Sequence, residues 1–169
     1  MQAWHDFFAL LGGAGATLLG LLFVSVSLHA RAILDPAHRN AKHLAEQAYH
    51  NYIAVLVVSL AVFFPGIGNY SLGLIVLIMP SIYSLWLLVR FAQTMRMKLD
   101  LESRVRAWRR YAGTFAGFVA LAIGGRQMMS DHGLHMLVPL GGFVVLMLAI
   151  AISWELLTKL AEAKPEARQ

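Results

Sequence analysis

The sequence contains no cysteine among its 169 residues. Disulfides, thiolate zinc sites, iron–sulfur clusters and cysteine nucleophiles are therefore excluded, and the redox compartment leaves no trace in the chain. Charge is also scarce: Asp, Glu, Lys and Arg supply 14 % of the residues against 59 % hydrophobic, well under the roughly 25 % charged of soluble domains. The charge that exists avoids the middle of every long apolar run. A proton-coupled pump carries ionisable groups at membrane depth, so none is expected here. Internal repeats and low-complexity tracts are missing too, and five apolar segments do not divide into the paired halves of many secondary transporters.

What is there is apolar length. The mean hydropathy is +0.63, and five segments, 7–28, 50–67, 71–91, 111–128 and 135–156, approach the roughly 20 residues that cross about 30 Å of hydrocarbon. The expected fold is an all-α polytopic membrane bundle of five transmembrane helices forming a single domain over 1–169. The first segment has no basic leader and is longer than a signal-peptide core, which favours a retained helix. Asp35 at an N-cap and Pro36 at the first helical position predict a helix from 36 to about 64, and a short turn is expected near Asp100–Ser103.

The fourth segment is short, because only Tyr111–Gly125 lies between Arg110 and Arg126, and both arginines must snorkel if it spans. Charge distribution supports that it does. With five crossings every Lys and Arg except Arg126 falls on one side; with four, Lys159, Lys164 and Arg168 move to the other. The positive-inside rule thus favours five spans with the N-terminus outside and the C-terminus in the cytoplasm. Trp4 and Tyr70 then mark the outer boundary, and Tyr49, Tyr52, Trp108, Tyr111 and Trp154 the inner one.

Small residues recur at helical spacing. Gly12, Ala16 and Gly20 form a smooth strip on the first segment, widened by Gly13 and Thr17. Ala116, Ala120 and Gly124, with Gly113 and Gly117 beside them, repeat it on the fourth; Gly141, Ala149 and Ser153 do so on the fifth. In lipid, small residues let backbones approach closely enough for dispersion and weak hydrogen bonds. These strips either pack the helices of one protomer or receive another chain, so a homo-oligomer or a subunit of a larger membrane complex is expected.

Three further groups carry candidate chemistry. Arg104, Arg106, Trp108, Arg109 and Arg110 form a basic, aromatic cluster suited to topology anchoring and to anionic lipid headgroups. The chain is basic, with a pI near 9.9, but nucleic acid is not expected without a domain to read it. Met128, His132, His135 and Met136 combine thioether and imidazole, a set that suits copper; packing methionines and a loop histidine are the plainer reading. His29 and His50 stand at similar depth and are candidates for axial haem ligands, against a solvated His43–Glu46–His50 face. The leading expectation is no cofactor. Glu155 and Lys159 have the favourable i,i+4 order of an ion pair, and no acid/base couple stands out. Thr17, Ser25, Ser59, Ser81, Ser84 and Thr114 are the hydroxyls from which a pore would be lined.

The opening WHDFFALLGGAGATLLGLLFVSVSL resembles the first helix of a loose group of small, uncharacterised bacterial inner-membrane proteins. The likeness covers about thirty residues and implies a bacterial inner-membrane location, with no activity or ligand to carry over. The function expected is that of a non-enzymatic accessory or assembly subunit, with an oligomeric channel and a haem or copper protein as alternatives.

Overall fold

A computed structural model describes residues 2–34, 39–95, 101–130 and 136–162. The chain is all-helical: α1 (Gln2–Leu28), the one-turn α2 (Ala30–Leu34), α3 (Arg39–Phe63), α4 (Asn69–Met95), α5 (Leu101–Ser130) and α6 (Leu137–Glu162). Each apolar segment expected from the sequence falls on its own long helix. Three of these, over Trp4–Leu28, Asn69–Gln93 and Leu137–Ala161, are long and apolar enough to cross a membrane.

The second segment is helical only to Phe63 rather than to 67. Phe64 precedes Pro65, a position biased away from the α region, and Gly66 turns the chain with a φ of 80°, which a Cβ would disfavour. Asp35 and Pro36 lie outside the described residues, and of the turn expected at Asp100–Ser103, 101–103 already belong to α5. Helix α4 continues through Pro80. Ser81 Oγ donates to the Leu77 carbonyl at 2.6 Å, a side-chain bond beside the place where proline deletes a backbone one.

Side-chain meetings fix the helix directions. Gly12 and Gly15 of α1 face Ser59 and Val55 of α3, and Gly113, Gly117 and Gly124 of α5 face Leu148, Val145 and Val138 of α6. Both pairs run antiparallel. Gly73 near the start of α4 meets Gly125 near the end of α5, and Arg90 near the end of α4 meets Glu46 near the start of α3. One end of the bundle therefore gathers the end of α1, the starts of α3 and α5, and the ends of α4 and α6. Arg31, Lys42, Arg90, Arg104, Arg109, Arg110 and Lys159 belong to this basic end, and Arg126 to the other.

Helix α3 is the most enclosed, set against α1, α4 and α6. Its Leu44, Ala48, Tyr52, Val55 and Val58 are at most 1 % exposed. By contrast α1 packs on α3 and, less extensively, α6, and leaves Leu10, Leu21, Phe23, Val24 and Leu28 exposed.

Candidate functional site

The small-residue strips have different fates in different helices. On α5 they are absorbed by packing: a Cβ added at Gly117 would stand 2.7 Å from Val145 Cγ2, and one at Gly124 2.6 Å from Val138 Cγ2. Gly113 sits on Leu148, and from the α6 side Gly141 faces Gly117 and Leu121. Ala116 is exposed and Ala120 half-buried, so the row enters the interface only at Gly124, two turns on.

On α1 the strip divides. Gly12 is held against Ser59 and Gly15 against Val55, whereas a Cβ at Gly13 or Gly20 would meet nothing within 4 Å. Ala9, Gly13, Ala16, Thr17, Gly20 and Ser27 are all exposed. Thr17 Oγ1 donates back to the Gly13 carbonyl at 2.9 Å and Ser27 Oγ to the Phe23 carbonyl at 2.8 Å. With their hydroxyls satisfied within the helix, both threonine and serine present a smooth outer surface.

A close backbone-to-backbone approach of two helices lies outside the strips read from the sequence. A Cβ at Gly73 would be 2.7 Å from the Gly125 carbonyl oxygen, and one at Gly125 would be 2.7 Å from that of Gly73. Sequence spacing missed this pair because neither glycine stands in a row of small residues on its own helix.

A polar and aromatic cluster joins α3 to α4 at the basic end. Arg90 Nη2 stands 2.8 Å from Glu46 Oε2 and Nη1 3.4 Å from His43 Nδ1, while the guanidinium lies 5.2 Å over the Trp86 ring. His50 stacks on the other part of this system, its ring 4.3 Å from Trp86. Its Nδ1 lies 2.6 Å from the Glu46 carbonyl oxygen, so His50 engages the backbone of Glu46 and leaves the carboxylate to Arg90. At the same level on the adjoining face of α3, Gln47 and Asn51 are 2 % and 1 % exposed. Gln47 Nε2 reaches Thr114 Oγ1 at 3.5 Å, and Gln47 Oε1 and Asn51 Nδ2 are buried without partners.

The candidate haem ligands have separate neighbours. His29 closes α1 with Nδ1 3.0 Å from the Ser25 carbonyl oxygen, while His50 faces the α4 aromatics. Of the candidate copper ligands, His132 and His135 lie outside the described residues; Met128 is buried in the core and Met136 is 72 % exposed. Among the described residues no group of three His, Asp or Glu side chains is placed to hold a metal. The hydroxyls considered for a pore point in different directions, with Ser59 and Thr114 buried and Thr17 and Ser81 on exposed faces.

The basic cluster of α5 also separates. Trp108 lines an apolar groove with Leu87, Leu88, Phe91, Tyr111 and Phe115 between α4 and α5. Arg109 and Arg110 line another between α5 and α6, and Arg104 is exposed outside both; the Arg106 side chain lies outside the described set. Arg110 Nη1 donates to Glu155 Oε2 at 2.9 Å, and Lys159 Nζ to Glu155 Oε1 at 3.0 Å. The expected Glu155–Lys159 pair is thus part of a tie between two helices. Comparison with known proteins finds no matching family model, curated protein or solved structure.

Proposed function

We propose that this chain is a non-catalytic assembly subunit of a bacterial inner membrane, crossing the bilayer five times with its N-terminus outside and its basic end in the cytoplasm. Its working surface is the outer face of α1, which receives a transmembrane helix of a partner protein. The observation that carries this reading is the asymmetry between helices: the glycines of α5 are consumed inside the protomer, but Gly13 and Gly20 open onto empty space. Without a hydrophobic drive between helices in lipid, a smooth small-residue face gains its stability from close backbone approach. The ionic groups support a structural role as well, because Glu46–Arg90 and Arg110–Glu155–Lys159 each tie one helix to the next.

Gly20→Leu tests it, since the new side chain projects away from the protomer and leaves the internal packing untouched. Native mass spectrometry of the gently solubilised protein is expected to show a complex for the wild type and the free chain for the variant. Loss of a mass made only of copies of this chain would replace the partner with a second protomer. Unchanged assembly in Gly20→Leu and Gly13→Leu would refute the docking role of α1.

A further inference from the structure

The groove between α5 and α6 has a volume of about 450 Å³ and an amphipathic wall. Arg109 and Arg110 stand at its mouth, and Leu148, Ala151 and Ile152 continue it toward the middle of the bundle. Trp154 is beside it and 70 % exposed, as an interfacial tryptophan is. Charge at the mouth is unbalanced. Glu155 is already shared by Arg110 and Lys159, and Arg109 adds a further cation. Thr158 Oγ1 lies 2.9 Å from the Glu155 carbonyl oxygen, to which it donates, so Arg109 and the Nε of Arg110 are the donors left for a ligand. The Arg110 side chain is 10 % exposed, and its Nε is buried without a hydrogen-bond partner. A guanidinium N–H buried in this state is costly until an acceptor reaches it.

We propose that this groove binds one anionic phospholipid, with the phosphate on Arg109 and Arg110 and an acyl chain along Leu148, Ala151 and Ile152. Guanidinium groups suit phosphate oxygens in number and planarity. The apolar continuation selects a lipid over a free phosphate ion, which has nothing to place there. The site rests on the reading that the basic end lies at a bilayer surface.

The test uses the full chain reconstituted in vesicles of equal phosphatidylglycerol and phosphatidylcholine, followed by native mass spectrometry of the lipids retained after extraction. Wild-type protein is expected to keep phosphatidylglycerol in preference to phosphatidylcholine. Arg109→Gln should lower the retained anionic lipid about ten-fold, the effect of losing a direct charge-assisted hydrogen bond to the phosphate. Ala151→Trp, which fills the apolar part without altering charge, should also lower it. Arg104→Gln removes the same charge from an exposed position outside the groove and should leave retention unchanged. Equal retention of both lipids, or equal losses in Arg104→Gln and Arg109→Gln, would overturn the site. Displacement of the lipid by inorganic phosphate, with no effect of Ala151→Trp, would overturn it in favour of a simple anion site. Protein that alkaline carbonate strips from the vesicles would refute the membrane reading itself, whereas embedded but unselective protein would sink only the groove.

Discussion

Replacing Gly125 with alanine puts one methyl group where α4 and α5 touch. The new Cβ would lie 2.7 Å from the Gly73 carbonyl oxygen, 2.7 Å from Leu77 N and 2.9 Å from Val76 C, where ordinary contact begins at 3.4 Å. All three are backbone atoms, so no side chain can rotate away, and the helices must part by more than half an ångström along their closest line. Overpacking of this kind costs about 1–3 kcal/mol, and rigid backbone places it toward the upper end. Alanine returns about 0.8–1 kcal/mol through helix propensity. The net expectation is a loss of about 2 kcal/mol, a factor of roughly 30 in the folded-to-unfolded ratio. Gly13→Ala is the matched control, gaining the same propensity in open space, and should be neutral or slightly stabilising. Equilibrium unfolding in mixed micelles of a mild and a denaturing detergent measures both. Should Gly125→Ala equal the wild type, or Gly13→Ala lose as much stability, backbone contact at Gly73–Gly125 would not be what holds α4 to α5.

Asn51→Leu keeps the number and branching of the side-chain heavy atoms and removes an amide whose Nδ2 is buried and unpaired, so it should leave stability unchanged or raise it by about 1 kcal/mol. A loss of similar size in the same unfolding assay would mean that another group satisfies the amide in the native state. The lack of cysteine makes topology directly testable. A membrane-impermeant maleimide should label Arg126→Cys in intact cells and Lys42→Cys only after permeabilisation, and labelling of both from the same side would refute a crossing by α5.

The helices were legible because an uncharged run as long as the hydrocarbon is thick has few alternatives to a helix, but a segment bounded only by hydropathy runs past Pro65 and Gly66, where α3 has already ended. Which side of a helix faces inward was not legible. In a soluble helix the polar face marks the outside, but here lipid and core are equally apolar. The row Gly12, Ala16, Gly20 shows the consequence. Each step of four residues overshoots a full turn by about 40° at 3.6 residues per turn, so the row leaves α3 at Gly12 and reaches the open side by Gly20. Likewise Arg109 and Trp108 are neighbours in sequence yet enter different grooves. The Gly73–Gly125 approach depends on the register of two separate helices, which spacing within either one does not encode.

Helices α3 and α5 fall outside the set that length and composition mark as membrane-crossing, so the five crossings proposed above need a physical reason for these two. A polar side chain is costly at membrane depth when it faces lipid and much less so when protein surrounds it. Gln47 and Asn51 are buried inside the protein, on the helix enclosed by α1, α4 and α6. For α5 the apolar stretch between Arg110 and Arg126 is short at 1.5 Å per residue, about 22 Å against roughly 30 Å of hydrocarbon. In the proposed crossing the long arginine stems at both ends would extend its reach, and Arg110 is paired with Glu155. Part of what lowers the hydropathy of these two helices, Glu46, Gln47, Thr114 and Arg110, also joins them to their neighbours, and a protein whose inner helices are bound in this way can leave its outermost helix, α1, free to bind something else.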